Sequence, residues 1–261
     1  MPASTQEKSR PDAGQQTGLY VYGIVPGDVK LNSGVHGVGE PPGEIRLVRS
    51  GDLAALVSEV DITKPLGTPE DLQAHVEILD AVITDMPVLP SRFGAVLTNE
   101  EAVAEELLDA NHDEFAGALQ QLEGRAEYVV RGRYVQEALL EEILSENSKA
   151  ARLRDRIHGA DPDATRELRI QLGEIVNNTV VNKRQADTRL LVSAMKDHSV
   201  ASGARVATNE LDAAYVAFLI EDGQVGEFER VVQELGDRWQ GRVELEVRGP
   251  MAPYDFVGTG G

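Results

Sequence analysis

The chain has 261 residues, with 25 Lys and Arg against 44 Asp and Glu, a formal net charge of −19. That balance disfavours nucleic-acid partners, because polyanion binding rests on clustered cations that neutralise phosphates. No run approaches the ~20 apolar residues of a membrane-spanning helix, and with no cysteine there are no disulfides, thiolate nucleophiles or cysteine-ligated metals.

Met1 to Thr17 is polar and rich in Pro, Gly, Ser and Gln, so it reads as a disordered tail. Lacking the apolar stretch of a secretory signal, it points to cytoplasmic residence. Leu19 to Val25 is short, aromatic and β-branched and reads as a central strand that ends at the turn Pro26-Gly27-Asp28. Lys30 to Gly43 reads as a long loop. Ile45 to Val48 and Leu53 to Val60 flank Ser50-Gly51-Asp52 and predict a hairpin. Thr68-Pro69-Glu70-Asp71 supplies a cap, a first-turn proline and acids, and Leu72, Val76, Leu79 and Ile83 continue at helical spacing. Val88 to Leu97 looks extended. A second helix opens at Thr98-Asn99-Glu100-Glu101, with Val103, Leu107, Leu108, Phe115 and Leu119 apolar, and Gly124 closes it.

Glu127 to Tyr134 reads as a strand and Gln136 to Leu144 as a helix, with a break at Asn147 and Ser148. A long helix follows from about Ala164 to Met195, its recurring positions including Leu168, Leu172, Ile175, Lys183 and Leu190. Arg205 to Thr208 and Ala213 to Ile220 read as strands, Val225 to Trp239 as an amphipathic helix and Val243 to Val247 as a last strand. The fold class is therefore α+β, with two sheets each covered by helices: residues 18–123 and 124–257, followed by a flexible end at 258–261. The second half has the order of a ferredoxin-like split βαβ pattern and the first looks like a rearranged version. Residues 1–123 carry 7 bases against 21 acids and residues 124–261 carry 18 against 23, so the acidity lies mainly in the first half.

Catalytic patterns are sparse. The five histidines form no His-Glu-x-x-His pair, there is no phosphate-cradling Gly-x-x-x-x-Gly-Lys-Ser/Thr loop, and Gly-x-Ser-x-Gly is absent around Ser91. Asp71 and His75, four apart, read as a helix-surface ion pair rather than half of a metal site. His112-Asp113-Glu114 reads as a solvated helix turn. No cofactor and no metal are expected. Leu89-Pro90-Ser91-Arg92-Phe93-Gly94 is the most unusual string: Arg92 can clamp a carboxylate of a ligand or partner, or pair within its own domain. Pro253-Tyr254-Asp255-Phe256 poses the same choice between self-docking and anchoring a partner.

Taken together, Tyr20-Val21-Tyr22-Gly23-Ile24-Val25, Gly51-Asp52-Leu53-Ala54-Ala55-Leu56-Val57-Ser58, Val88-Leu89-Pro90 with Arg92-Phe93-Gly94, Glu127-Tyr128-Val129-Val130, Ala217-Phe218-Leu219 and Gly249-Pro250 with Pro253-Tyr254-Asp255-Phe256 resemble the gas vesicle protein F/L family (GvpF/GvpL). The resemblance runs from about Leu19 to Val257; Ser91 stands where the family often carries a bulkier apolar residue. It implies two α+β domains, the first a modified ferredoxin-like fold. It also implies a non-enzymatic assembly factor or minor component that contacts the hydrophobic shell protein (GvpA type) and other accessory vesicle proteins, in the cytoplasm and at the gas vesicle. On this reading an apolar patch inside an acidic rim holds shell monomers while net charge resists co-aggregation. Tyr20 and Tyr22, as a strand edge, and Leu89, Arg92 and Phe93 are the candidate contacts. The alternative is a small-molecule sensor built from ferredoxin-like domains; an acid–base enzyme using scattered carboxylates is the third reading.

Overall fold

In the computed structural model, residues 16–30 and 36–257 are described. They fall into two compact units that divide between Glu123 and Gly124, each built on an antiparallel sheet. The expected tail lies outside the described residues up to residue 15, but Thr17 already opens the first strand; the end at 258–261 also lies outside them.

The first unit contains β1 (Thr17–Pro26), β2 (Arg46–Ser50), β3 (Leu53–Asp61), α1 (Pro69–Ile83), β4 (Leu89–Pro90), β5 (Val96–Leu97), a π-helical segment (Ala102–Asp109) and α2 (His112–Leu122). The sheet order is β2-β3-β1-β4, and β5 also pairs with β1, so β1 is central. The β2–β3 hairpin closes over Gly51, whose φ of +58° is the left-handed conformation that favours glycine. Leu19, Val21 and Ile24 form one core with Leu53, Val57, Val103, Leu108 and Leu119. The intervening Tyr20 lies on the opposite face, against α1. Register slips between Val21 and Gly23, which makes Tyr22 the extra residue of a bulge.

Two helices differ from the sequence expectation. The single second helix is instead a π segment followed by α2. Its Ala110 N–H reaches the Glu105 carbonyl five residues back, and this wider turn lets Val103 and Leu108 both be fully buried. α1 buries only part of its expected apolar face: Leu79 and Ile83 are buried, Leu72 and Val76 are 48% and 38% exposed, and Asp71 and His75 are buried beside Ile78.

The second unit contains β6 (Arg125–Tyr134), α3 (Gln136–Glu146), α4 (Ser148–Ile157), α5 (Arg166–Met195), β7 (Ala201–Ala204), β8 (Asp212–Glu221), α6 (Val225–Arg238) and β9 (Val243–Met251), with sheet order β7-β8-β6-β9. The expected break at Asn147 is a new helix start, because its side chain accepts the N–H groups of Lys149 and Ala150 and caps α4. The strand expected at Arg205 to Thr208 lies earlier, at β7. The chain leaves the sheet there because the Thr208 and Asn209 N–H groups, both at 2.9 Å, turn onto the buried Asp212 carboxylate.

Along α5 the buried positions are Asp187, Leu191 and Met195, and the expected core residue Leu190 is exposed. Asp187 can face inward because Tyr134 O–H donates to it at 2.6 Å and Arg242 binds it through two nitrogens at 3.0 and 2.8 Å. Glu142 bonds Arg242 and Lys183, so a chain of charges ties α3, α5 and the start of β9 together. Removing one member of such a pair strands the others. Asp187→Ala is expected to destabilise the protein by about 3 kcal/mol in urea unfolding, and a loss under ~1 kcal/mol, the range of an exposed pair, would contradict this role.

Candidate functional site

The polar residues of the first unit converge at the start of α1. Thr68 caps the helix: its hydroxyl accepts the Asp71 N–H at 3.1 Å, and Asp71 Oδ2 accepts the Thr68 N–H at 3.1 Å. The same carboxylate takes the N–H groups of Gly67 at 3.0 Å and Gly39 at 2.9 Å, joining the loop before β2 to the helix. Burial alone would raise the Asp71 pKa, but the Gly39, Gly67 and Thr68 donors outweigh it and hold the pKa below the ordinary carboxylate value.

One turn further on, His75 lies under the tyrosines of β1. Its Nδ1 is 2.9 Å from the Tyr20 hydroxyl, which also accepts the Gly94 N–H at 3.2 Å. The Tyr22 hydroxyl bonds Ser58 Oγ and the Val38 N–H, both at 2.8 Å. This packing needs glycine at position 37, since a Cβ there would stand 2.6 Å from the Tyr22 oxygen. The Phe93 ring lies edge-on, 5.7 Å from both Tyr20 and His75, and Tyr22 stacks on His75 at 5.7 Å. Burial pushes the His75 pKa below its ordinary 6.5, and a backbone hydrogen bond with Ser91 only partly opposes that. The neutral imidazole pairs with the Tyr20 hydroxyl, whose pKa is pushed up to about 12 chiefly by burial.

These contacts position backbone. Asp71 holds the helix start, and Tyr20 and His75 hold the turn from Ser91 to Gly94, which presents Arg92 to solvent. Among the described residues the Arg92 guanidinium has no hydrogen bond or ion pair, so the expected internal partner is absent there. Leu89 is half-buried where β4 meets β1. The five candidate residues thus divide. Arg92, Phe93 and Leu89 lie at or near the surface, whereas Tyr20 and Tyr22 are fully buried in a central strand and lie beneath the turn rather than on a sheet edge.

Ser58, Asp71 and His75 complete the cluster and were not candidates. The one available signal was Thr68-x-x-Asp71 at capping-box spacing followed by a polar residue on the inward side of the helix. The surface ion pair expected of Asp71 and His75 is replaced by two separate sets of buried partners. His112 is half-exposed, with Nε2 2.6 Å from Asp52 and Nδ1 3.3 Å from Asp113. Among the described residues no three His, Asp or Glu side chains gather as a metal site.

In the second unit the terminal string docks on its own sheet. Ala252 and Pro253 are buried, the Asp255 N–H donates to Glu127 at 3.0 Å, and Arg205 lies between the two carboxylates. Burial, with the neighbouring Asp255 carboxylate, raises the Glu127 pKa above its ordinary value, and Arg205 partly opposes this. A half-open groove of about 590 Å³ runs between α3 and α5, lined by Leu139, Leu140, Ile143, Val176, Val180 and Val181. Arg184 at its margin donates to the carbonyls of Asn209, Glu210 and Asp212.

The family model described as gas vesicle synthesis protein GvpL/GvpF matches residues 18–258. Gas vesicle protein F of Streptomyces sp. (strain CB03234) is 30% identical, covering 91% of this chain and 98% of that one. Gas vesicle protein L of the same strain is also 30% identical, with 92% of each chain covered. In fold, the chain is similar to the crystal structure of GvpF from Anabaena sp. PCC7120, with a TM-score of 0.75 at 22% identity over 93% of this chain and 98% of that one.

A buried neutral histidine makes stability pH-dependent with a defined sign. Below about 6.5 the unfolded chain binds a proton at His75 that the folded chain resists, so this contribution is present above that pH and is lost as pH falls. Urea unfolding between pH 7.5 and 5.5 is expected to show a shallower loss of stability on acidification for His75→Gln than for the wild type; parallel curves would contradict the assignment.

Proposed function

Because the chain belongs to the GvpL/GvpF family of gas vesicle synthesis proteins, we propose that it acts by contact: it binds the hydrophobic, GvpA-type shell protein and other accessory vesicle proteins while vesicles form, and it catalyses no reaction. The shell protein has to expose apolar surface before it polymerises. A carrier that covers this surface and carries high like charge keeps the loaded complexes apart. The acidic first unit suits that task, and we place the contact on its Leu89–Phe93 string, working in the cytoplasm and at the vesicle.

The observation that carries this reading is the Arg92 turn. Its backbone is fixed from below by Tyr20 and His75, while its guanidinium has no acceptor among the described residues. In the second unit, by contrast, Arg131, Arg205 and Arg242 are each paired with a carboxylate. A preorganised, unpaired guanidinium beside a half-buried aromatic ring supports a role as a binding anchor. The non-enzymatic reading draws on the polar cluster itself, where Asp71 is occupied by three backbone donors.

We read the second unit as ferredoxin-like, on the strength of four antiparallel strands in the order second, third, first, fourth, and the first as a modified version spanning 18–123. The competing small-molecule sensor draws on the groove between α3 and α5, whose volume is that of a ligand pocket. The two readings separate in a pull-down of the full chain with co-expressed shell protein. Arg92→Ala, at an exposed position, is expected to weaken capture about tenfold with an unchanged unfolding midpoint; capture equal to wild type would remove Arg92 from the contact.

A further inference from the structure

The groove between α3 and α5 has three walls. α3 contributes Leu139, Leu140 and Ile143, α5 contributes Val176, Val180 and Val181, and the loop before β8 supplies the third side from Ala207 to Leu211. Leu140 and Val181 stay 43% and 40% exposed along it, and its volume of about 590 Å³ is that of a small-molecule site. Gly173, also in the lining, sits inside α5, where glycine weakens a helix relative to alanine. No packing within the chain requires it, since a Cβ there would meet nothing within 4 Å. Its effect is to leave the groove wide.

Arg184 is the one cation in this lining. The half-buried arginines of the second unit are Arg125, Arg131, Arg184, Arg205 and Arg242. All but Arg184 meet a carboxylate: Arg125 that of Glu221, Arg131 that of Asp212, Arg205 that of Glu127 and Arg242 that of Asp187. Arg184 makes no ion pair among the described residues. Its Nε donates to the Asp212 carbonyl at 2.6 Å, and Nη2 donates to the carbonyls of Glu210 at 2.8 Å and Asn209 at 3.4 Å. Carbonyl oxygens fix a guanidinium in place without cancelling its charge, and Nη1 has no bond among the described residues. Glu210, the one acid in the lining, is exposed and does not pair with Arg184. A preorganised, half-buried cation at the margin of an apolar groove defines its complement in both chemistry and sign.

We propose that this groove binds a small amphiphile, an apolar chain ending in a carboxylate, with the chain against Leu140, Val176 and Val180 and the carboxylate on Arg184. Burial of the chain supplies holding strength, and the guanidinium selects the charged head and sets the salt dependence of binding. The site goes beyond the shell-binding reading, because it lies in the second unit whereas the shell contact is placed on the first, and failure of either leaves the other standing.

The test is calorimetric titration of the full chain with decanoate, with 1-decanol as the uncharged control and acetate as the head without a chain, all below micelle formation. Wild type is expected to bind decanoate saturably, about tenfold more tightly than 1-decanol, more weakly in high salt, and acetate not at all. Gly173→Leu, which fills the groove from a position with open space around it, should abolish binding of both ten-carbon probes. Arg184→Gln should bring decanoate down to the level of 1-decanol and leave 1-decanol within about twofold. Arg189→Gln, the same charge change at an exposed position of α5 outside the lining, should keep full decanoate affinity. Unfolding midpoints confirm that each variant is folded. Absence of saturable decanoate binding would overturn the proposal, as would full affinity in Gly173→Leu or equal weakening by the two glutamine changes. Equal wild-type affinity for decanoate and 1-decanol, or loss of both probes in Arg184→Gln, would show that Arg184 holds the loop and not the head group and would overturn its assignment.

Discussion

The first unit depends on where the Asp71 carboxylate is satisfied. A buried carboxylate is tolerated only when its oxygens are bonded, and here the donors are backbone N–H groups from the helix start and from the loop before β2. That requirement fixes the rotation of α1. Once Asp71 points inward, His75 follows one turn later and meets Tyr20, and Tyr20 and His75 together hold the Ser91–Gly94 turn. On the neighbouring side of the helix Leu79 and Ile83 are buried, while Leu72 and Val76 stay partly exposed.

The two units treat charge differently. In the second, buried acids meet arginines: Asp187 with Arg242, Asp212 with Arg131, and Glu127 with Arg205. Such pairs tie helices and the terminal segment to the sheet and have little left to offer a partner. In the first unit the central acid is satisfied by backbone, while Arg92, Glu70 and Glu77 face solvent without a counter-charge among the described residues. Uncommitted groups on a rigid support are what the proposed contact with an apolar subunit would draw on.

Strands were legible in the sequence because period-2 burial and turn residues mark them locally: β1, the hairpin around Gly51, β6 and β8 all lie where their apolar runs place them. Helix existence was legible too, but the buried face of each helix was legible only in part. Spacing assigned Leu72, Val76 and Leu190 to the core, and the structure also buries Asp71, His75 and Asp187, each with a partner 32 to 55 residues away in sequence. Long-range hydrogen bonds leave no periodic trace. The π segment escaped for a related reason, since Val103 and Leu108 share a face only when the turn is wider than the assumed 3.6 residues. Of the binding candidates, Arg92 and Phe93 stood out as an unusual string, while Tyr20 and Tyr22, taken as a strand edge although their run already reads as a central strand, are buried.

Hydrogen exchange of the full chain, alone and with the shell protein, tests most directly the claim that the first unit makes the contact through the surfaces its polar core positions. The account predicts slowed exchange in the turn from Ser91 to Ala95, with the second unit unchanged. Protection confined to the groove between α3 and α5, or to the segment around Asp255, would contradict it.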